Sequence, residues 1–354
     1  MKILIKNGRV WDGERFFFAD VLTNEDKIEK IAPNISEQAE REFDASGMIV
    51  SAGLVDAHVH LLGISDPMYG VSHDLVSVPF GVTAVGDGGG VMGDKTAFQQ
   101  NLVKAVTFVP IDIKNNQPDF SSLEERCNAY GEYVAGYKAY FDNGGGSVVD
   151  ATPLAGIFER AEKDGKRVMV HCNGSPVPMS EYLQLFRAGD VLTHAFHGGE
   201  HTALEDDFKS LIEAQRRGVV IDGGFAGNVH LGFGVLRKAL EKGIVPDVIS
   251  SDAVKRSVYS RGGRYGLTEC MSIACALGMK EEDIFRAVTA NAADCVGKRG
   301  EWGELKEGGT ADIAVLQFTR QPFSSIDKDG ITLEYDNGYR CKMTVIGGEI
   351  VYVD

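Results

Sequence analysis

The sequence predicts an α/β protein: a (β/α)8 TIM-type barrel with a small β-sandwich domain built from both termini. Three observations point there. Between about residues 54 and 296, short β-branched apolar runs alternate with stretches of helical periodicity, the pattern of repeated βα units. Both ends of the chain instead read as short strands punctuated by turn residues. The length, 354 residues, accommodates one large barrel and a satellite of this kind.

At the N-terminus, residues 2–6 and 9–10 flank Asn7-Gly8, a two-residue hairpin signal. Residues 20–23 and 27–31 continue the strand pattern. At the other end residues 312–316, 342–346 and 349–353 do the same, with Gly347-Gly348 marking the last turn. The two regions are expected to pair into one small domain, residues 1–52 and 304–354, leaving 53–303 for the barrel. Its eight strands are expected at 54–61, 81–86, 105–113, 134–141, 167–173, 191–196, 218–222 and 245–252, with amphipathic helices between them, for example 152–164 and 179–188. A barrel of this type carries its active site at the C-terminal strand ends, so polar residues there are the candidates for chemistry.

Composition narrows the function classes. Against 36 basic residues stand 51 acidic ones, a net charge of −15 that argues against a nucleic-acid or anionic-membrane partner. No window approaches 18 uninterrupted apolar residues. The apolar run at the N-terminus is too short for a signal peptide and reads as a strand, so a cytoplasmic location is expected. Cys127, Cys172, Cys270, Cys275, Cys295 and Cys341 form no CxxC pair, as expected of reduced thiols rather than a disulfide framework.

The first barrel strand ends in Asp56-Ala57-His58-Val59-His60. Side chains two apart on a strand share a face, so His58 and His60 both point into the barrel mouth, where two imidazoles suit one divalent metal. The fourth strand carries Lys138 in an otherwise apolar run, where a buried ammonium is costly unless paired or removed. Either its stem lies along the barrel with the ammonium in the mouth, or the amine reacts with carbon dioxide. The resulting carbamate is a bidentate carboxylate able to bridge two metals. The fifth strand ends in His171, the sixth in His194 and the eighth in Asp252. One such histidine is usually a satisfied core residue; this many polar ligands at successive strand ends are not plausibly all structural.

In this ordered set the chain resembles the amidohydrolase superfamily, in its binuclear branch. The resemblance covers nearly the whole sequence. It rests on residues 53–60 with His58 and His60, then Lys138, His171, His194 and Asp252, and on the return through residues 289–293, 303–305 and 308–315. It implies that His58 and His60 bind one metal and His171 and His194 the other. Carbamylated (N6-carboxylated) Lys138 would bridge the two, and Asp252 would ligate the first metal and act as general acid and base. Two divalent ions are implied, zinc foremost, with manganese, cobalt or iron suited by ligand type. The implied chemistry is attack by a metal-bridging hydroxide on a polarised carbonyl. Dihydroorotases, hydantoinases, isoaspartyl dipeptidases and N-acyl-D-amino-acid hydrolases are the branch most similar, with esterases of acylated hydroxy acids close by. Many such relatives self-associate, which makes a homo-oligomer an expectation.

Other residues are weaker candidates. Asn173 lies two after His171 and so faces the same cavity, whereas Cys172 points away. His230, after the seventh strand, is placed to touch substrate. Arg261 and Arg264, after the eighth, are placed to clamp a substrate carboxylate. The His197-Gly198-Gly199-Glu200-His201 segment lacks metalloprotease spacing and reads as a loop, and the glycine runs 86–90 and 144–146 read as flexible active-site loops.

The expected function is hydrolysis of an amide or cyclic amide bond of a small carboxylate-bearing substrate. Ester hydrolysis on the same site is the alternative, and a non-catalytic hydantoinase-like scaffold is the alternative of another class. Against the scaffold stands the full set of six ligands. The mononuclear deaminases of the superfamily carry a glutamate shortly after the strand-five histidine and lack the strand-four lysine. Here Cys172-Asn173 follows His171 and Lys138 is present, which disfavours deamination. No glycine-rich dinucleotide fingerprint supports a dehydrogenase.

Overall fold

The chain does not turn at Asn7-Gly8. Strand β1 (Lys2–Trp11) runs through that dipeptide, with a register shift between Ile5 and Gly8 against β2 (Phe16–Asn24). Asn7 takes the left-handed backbone, φ 61°, that a hairpin would also have required, but uses it for a bulge. Its amide is held by Asp20 at 2.8 Å. The turn comes later, between Trp11 and Phe16, where Asp12 accepts from the amides of Glu14 and Arg15.

This computed structural model describes residues 1–99, 102–144, 146–260 and 265–354. With β3 (Lys27–Ala32), β4 (Arg41–Asp44) and β5 (Ile49–Ala52), the N-terminal strands join one mixed sheet with strands from the far end of the chain. These barrel and sheet strands are numbered on in order: β6 (Leu54–Val59), β7 (Val82–Asp87), β8 (Lys104–Ile111), β9 (Val134–Tyr140), β10 (Arg167–His171), β11 (Val191–Thr193), β12 (Val220–Asp222), β13 (Ile313–Ile326), β14 (Thr332–Ile346) and β15 (Glu349–Val353). The mixed sheet runs β15-β14-β13-β5-β1-β2-β3, with β4 added to β1, around a core that includes Ile3, Ile5, Val21, Val50, Ile313 and Val345.

Strands β6 to β12 form a parallel sheet in sequence order, their side chains apolar on both faces as such a sheet requires. The expected eighth strand, 245–252, makes isolated bridges to both edges: Val248 to Asp222 of β12, and Ala253 to Val59 of β6. The Asp252 amide donates to the His58 carbonyl at 2.7 Å, and that of His60 to the Ala253 carbonyl at 3.1 Å. These contacts close the barrel. Regular strand geometry stops there because Asp252 itself adopts φ 46°.

Helices α1 (Phe120–Tyr130), α2 (Thr152–Lys163), α3 (Lys209–Arg216), α4 (Phe233–Glu241), α5 (Lys255–Ser260) and α6 (Leu267–Ala276) follow barrel strands. The expected helix at 179–188 is only a turn, Met179–Tyr182, followed by a 3-10 segment, because the backbone is already extended at Phe186. No helix among the described residues is long and apolar enough to cross a membrane. All six cysteines are free, and Cys172, Cys270, Cys295 and Cys341 are buried.

Sheet and barrel meet over an aromatic cluster of Trp11, Phe16 and Phe285, with ring centroids 4.7 to 6.2 Å apart. Two ion pairs, Arg9–Glu281 and Lys104–Asp312, join them further. The longest strands of the molecule, β13 with 14 residues and β14 with 15, form a hairpin that extends beyond the sheet. It lies along α6, where the Tyr339 amide donates to the Ser272 hydroxyl at 2.9 Å and Ser325 donates to Glu269 at 3.1 Å.

Candidate metal centre

His58 and His60 sit at the end of β6, Lys138 on β9, His171 at the end of β10, His194 just past β11 and Asp252 at the barrel seam. All six line one cavity of about 100 Å³ at the C-terminal mouth, together with His230. His58, His60, Lys138, His194 and Asp252 are each at most 5% exposed.

Each ligand histidine has one ring nitrogen committed. Carbonyl oxygens only accept, so the ring nitrogen facing one must carry the proton. His60 Nδ1 lies 2.6 Å from the Gly89 carbonyl, His194 Nδ1 2.7 Å from that of Gly224, and His171 Nε2 3.1 Å from that of Asn173. His58 Nδ1 is 3.0 Å from the Thr193 hydroxyl, which itself donates to Asp222 at 2.7 Å and so accepts from the ring. The remaining nitrogens therefore present lone pairs to the cavity, the outer-shell arrangement that metal-ligating histidines use. Burial lowers the pKa of His58, His171 and His194 and keeps the rings neutral.

Glycines make the fit possible. A Cβ on Gly88 would lie 2.4 Å from His58 Nε2, and one on Gly224 would lie 2.5 Å from His194 Nδ1. The 86–90 run, expected as a flexible loop, is held: Asp87 accepts from the amides of Leu61, Leu62 and Gly89 at 2.7 to 3.1 Å.

The donor set fits a cation. His60 Nε2 and Asp252 Oδ1 face each other at 2.9 Å and His58 Nε2 is 3.5 Å from the same oxygen, yet Oδ1 is buried without a hydrogen-bond partner among the described residues. Lone pairs held that close need a positive charge between them. His58, His194 and Asp252 bring ligand atoms within 4.8 Å of one another, and so do His171, His194 and His230. Lys138 Nζ is 3.1 Å from His58 Nε2, and burial pushes its amine down to about 8.

His230 stands closer to the candidate metal ligands than its expected role as a substrate contact required. Its ring packs 4.0 Å from that of His194 and 5.0 Å from that of His171, and its Nδ1 is 2.7 Å from the Asn173 amide. Burial lowers its pKa to about 4. Arg261 and Arg264 lie outside the described residues. Cys172 points away, its thiol donating to the Thr193 carbonyl at 3.2 Å.

Three polar cavity residues escaped the sequence reading. The Tyr140 hydroxyl is buried and without a hydrogen-bond partner among the described residues. Its spacing of two from Lys138 would have placed it on the same strand face. Tyr69 packs on His60 at 4.9 Å, and Arg256 of α5 reaches the rim. A larger hollow of about 440 Å³ between α6 and the β13–β14 hairpin has no metal-binding cluster among the described residues.

Residues 139–351 match the amidohydrolase family. The chain is 28% identical to a deacetylase of Enterococcus faecalis over 98% of each sequence. It is 24% identical to a dihydroorotase of Bacillus cytotoxicus over 99% of this chain and 98% of that one. Among solved structures it is similar to an adenine deaminase, with a TM-score of 0.85, 27% identity and 99% of both chains covered. A dihydroorotase superposes with the same TM-score and coverage at 21% identity, a likeness of fold.

Proposed function

The chain belongs to the amidohydrolase family and is a metal-dependent amidohydrolase, and from that premise we propose that it removes an acyl group from, or opens the cyclic amide of, a small carboxylate-bearing substrate. The observation that carries this reading is the convergence of the lone pairs of His58, His60, His194 and Asp252 on one buried cavity beside a lysine whose amine is pushed down to about 8. An amine of that kind is partly neutral near physiological pH, the form that adds carbon dioxide to give a carbamate.

His58, His60 and Asp252 would hold one divalent ion and His171 and His194 a second, with carbamylated Lys138 shared between them and zinc the ion best suited to the donors. Such ions supply, when bound, a water nucleophile active near neutral pH and polarisation of the scissile carbonyl. The protein's own groups do the rest. The Asp252 carboxylate takes the proton from the nucleophile and delivers it to the leaving nitrogen. The Tyr140 hydroxyl, buried and unpartnered, donates to the substrate carbonyl oxygen as charge develops there. Arg256 at the rim pairs with the substrate carboxylate. Tyr69 and Met68 cover the mouth and exclude water.

The deacetylase relatives favour an acetyl-sized acyl group. Ester cleavage is the second reading, since the same proton transfer serves a leaving oxygen that needs less protonation. The test is metal content by mass spectrometry, followed by turnover of N-acetyl amino acids of both hands, dihydroorotate, hydantoins and O-acetyl hydroxy acids. Close to two ions per chain with amide turnover is the expected result. Metal-loaded protein that cleaves only the esters shifts the function to the second reading, and protein that binds no metal overturns both.

A further inference from the structure

The β13–β14 hairpin does more than cover α6. At its tip, Asp327 is 2% exposed, an expensive place for a carboxylate unless its oxygens are satisfied. Two of its bonds are internal: Oδ1 accepts from the amides of Asp329 and Ile331, both at 2.9 Å, and shapes the turn. The third leaves the hairpin. Oδ2 accepts from the Phe233 amide at 3.0 Å, and Phe233 is the first residue of α4. That helix has Gly232 at its N-cap and no side-chain cap of its own. Asp327 therefore caps it from 94 residues away, satisfying an orphan amide and placing a negative charge at the positive end of the helix. Beside it, the Lys328 amide donates to the Leu231 carbonyl at 3.0 Å.

The two bonded residues, Leu231 and Phe233, lie one and three positions after His230, whose ring packs against those of His194 and His171 and whose Nε2 is 3.8 Å from Asp252. On the other side the tip presses on the loop that follows β11. A Cβ on Gly198 would come within 2.9 Å of the Asp329 carboxylate, so the tip and this loop lie against each other. We propose that the hairpin tip, through Asp327, is a positioning element of the catalytic site: it fixes the start of α4 and thereby the place of His230 over the cavity. The small sheet thus takes part in substrate handling without touching substrate. The catalytic part of this inference rests on the proposed function, together with the sequence-based expectation that His230 touches substrate.

Two readouts test it. Asp327→Ala is expected to raise deuterium uptake in peptides covering 229–236 while leaving those of α2 unchanged. It is also expected to lower kcat/KM about tenfold, the scale of a lost helix cap, on whichever substrate of the series the protein turns over. Asp327→Asn, which keeps acceptor oxygen and shape, recovers part of that loss and carries both readouts if the alanine variant does not fold. In a His230→Ala background the same Asp327 substitution is expected to change kcat/KM by less than about twofold, because the two residues act as a unit. Equal losses in the two backgrounds, or unchanged uptake at 229–236, overturn the proposal. Should the protein turn over none of the series, the functional reading falls, and the exchange measurement alone decides whether the tip holds the segment.

Discussion

The two sides of the cavity are built differently. On one side, His58, His60, Lys138 and Asp252, set on β6, β9 and the seam, are nearly inaccessible, and their supports are themselves buried: Thr193 of β11 and Asp222 of β12 behind His58, the fixed 87–89 backbone behind His60. On the side of β10 to β12, His171 leans on the carbonyl of its own loop, and His230 stands on a loop braced from another part of the chain. The first side is part of the barrel core, where side chains have one position. The second is assembled from loops, whose shape varies without disturbing a core. The contrast teaches that, on the proposed function, this site keeps its charge-handling groups on the rigid wall and the histidine expected to meet substrate on the adjustable one.

If that division is right, substitutions should fall in a set order. Asp252→Asn removes the proton carrier on the rigid side, and kcat should drop by roughly 10² to 10⁴-fold, read by steady-state kinetics. Metal content close to wild type would separate that loss from failure to load. Lys138→Ala should leave about one ion per chain in place of two by mass spectrometry; full activity with two tightly held ions would remove the lysine from the site. Asp222 does not line the cavity but stands behind His58, 3.6 Å from its Nδ1; Asp222→Asn weakens that support, and metal affinity by chelator competition should fall about 10 to 100-fold. On the adjustable side, Asn173→Ala frees the His230 ring and should raise KM by about tenfold, the scale of one lost hydrogen bond, with metal content unchanged. A loss of metal on Asn173→Ala as large as that on Asp222→Asn would erase the distinction between the two walls.

The rigid wall was legible in the sequence because its signals are periodic. His58 and His60 are two apart on a strand, Lys138 stands out in an apolar run, and the structure brings them with His171, His194 and Asp252 into one cavity. Tyr140 obeyed the same spacing rule and was simply not picked out. The loops gave less. After Asp252 the chain turns at once into α5, so that Arg256 reaches the rim, and helical phase in so short a segment leaves no pattern to read. Asn7-Gly8 misled for a physical reason: a bulge and a tight turn ask the same left-handed backbone of the same residues. The cap from Asp327 to Phe233 is a purely tertiary event with no local trace.

The seam of the barrel has a consequence for how the protein comes into being. Its closing contacts join residues at opposite ends of the barrel segment: the Ser251 amide to Asp56, the Asp252 amide to the His58 carbonyl, Ala253 to Val59. A nascent chain emerges from its N-terminus, so His58 and His60 wait through nearly two hundred further residues before Asp252 exists to face them. Before residue 252 is made, His58, His60 and Asp252 cannot stand together. Loading is thus expected to be a late event, following synthesis of residue 252 and closure of the barrel, and to report completed folding rather than to guide it.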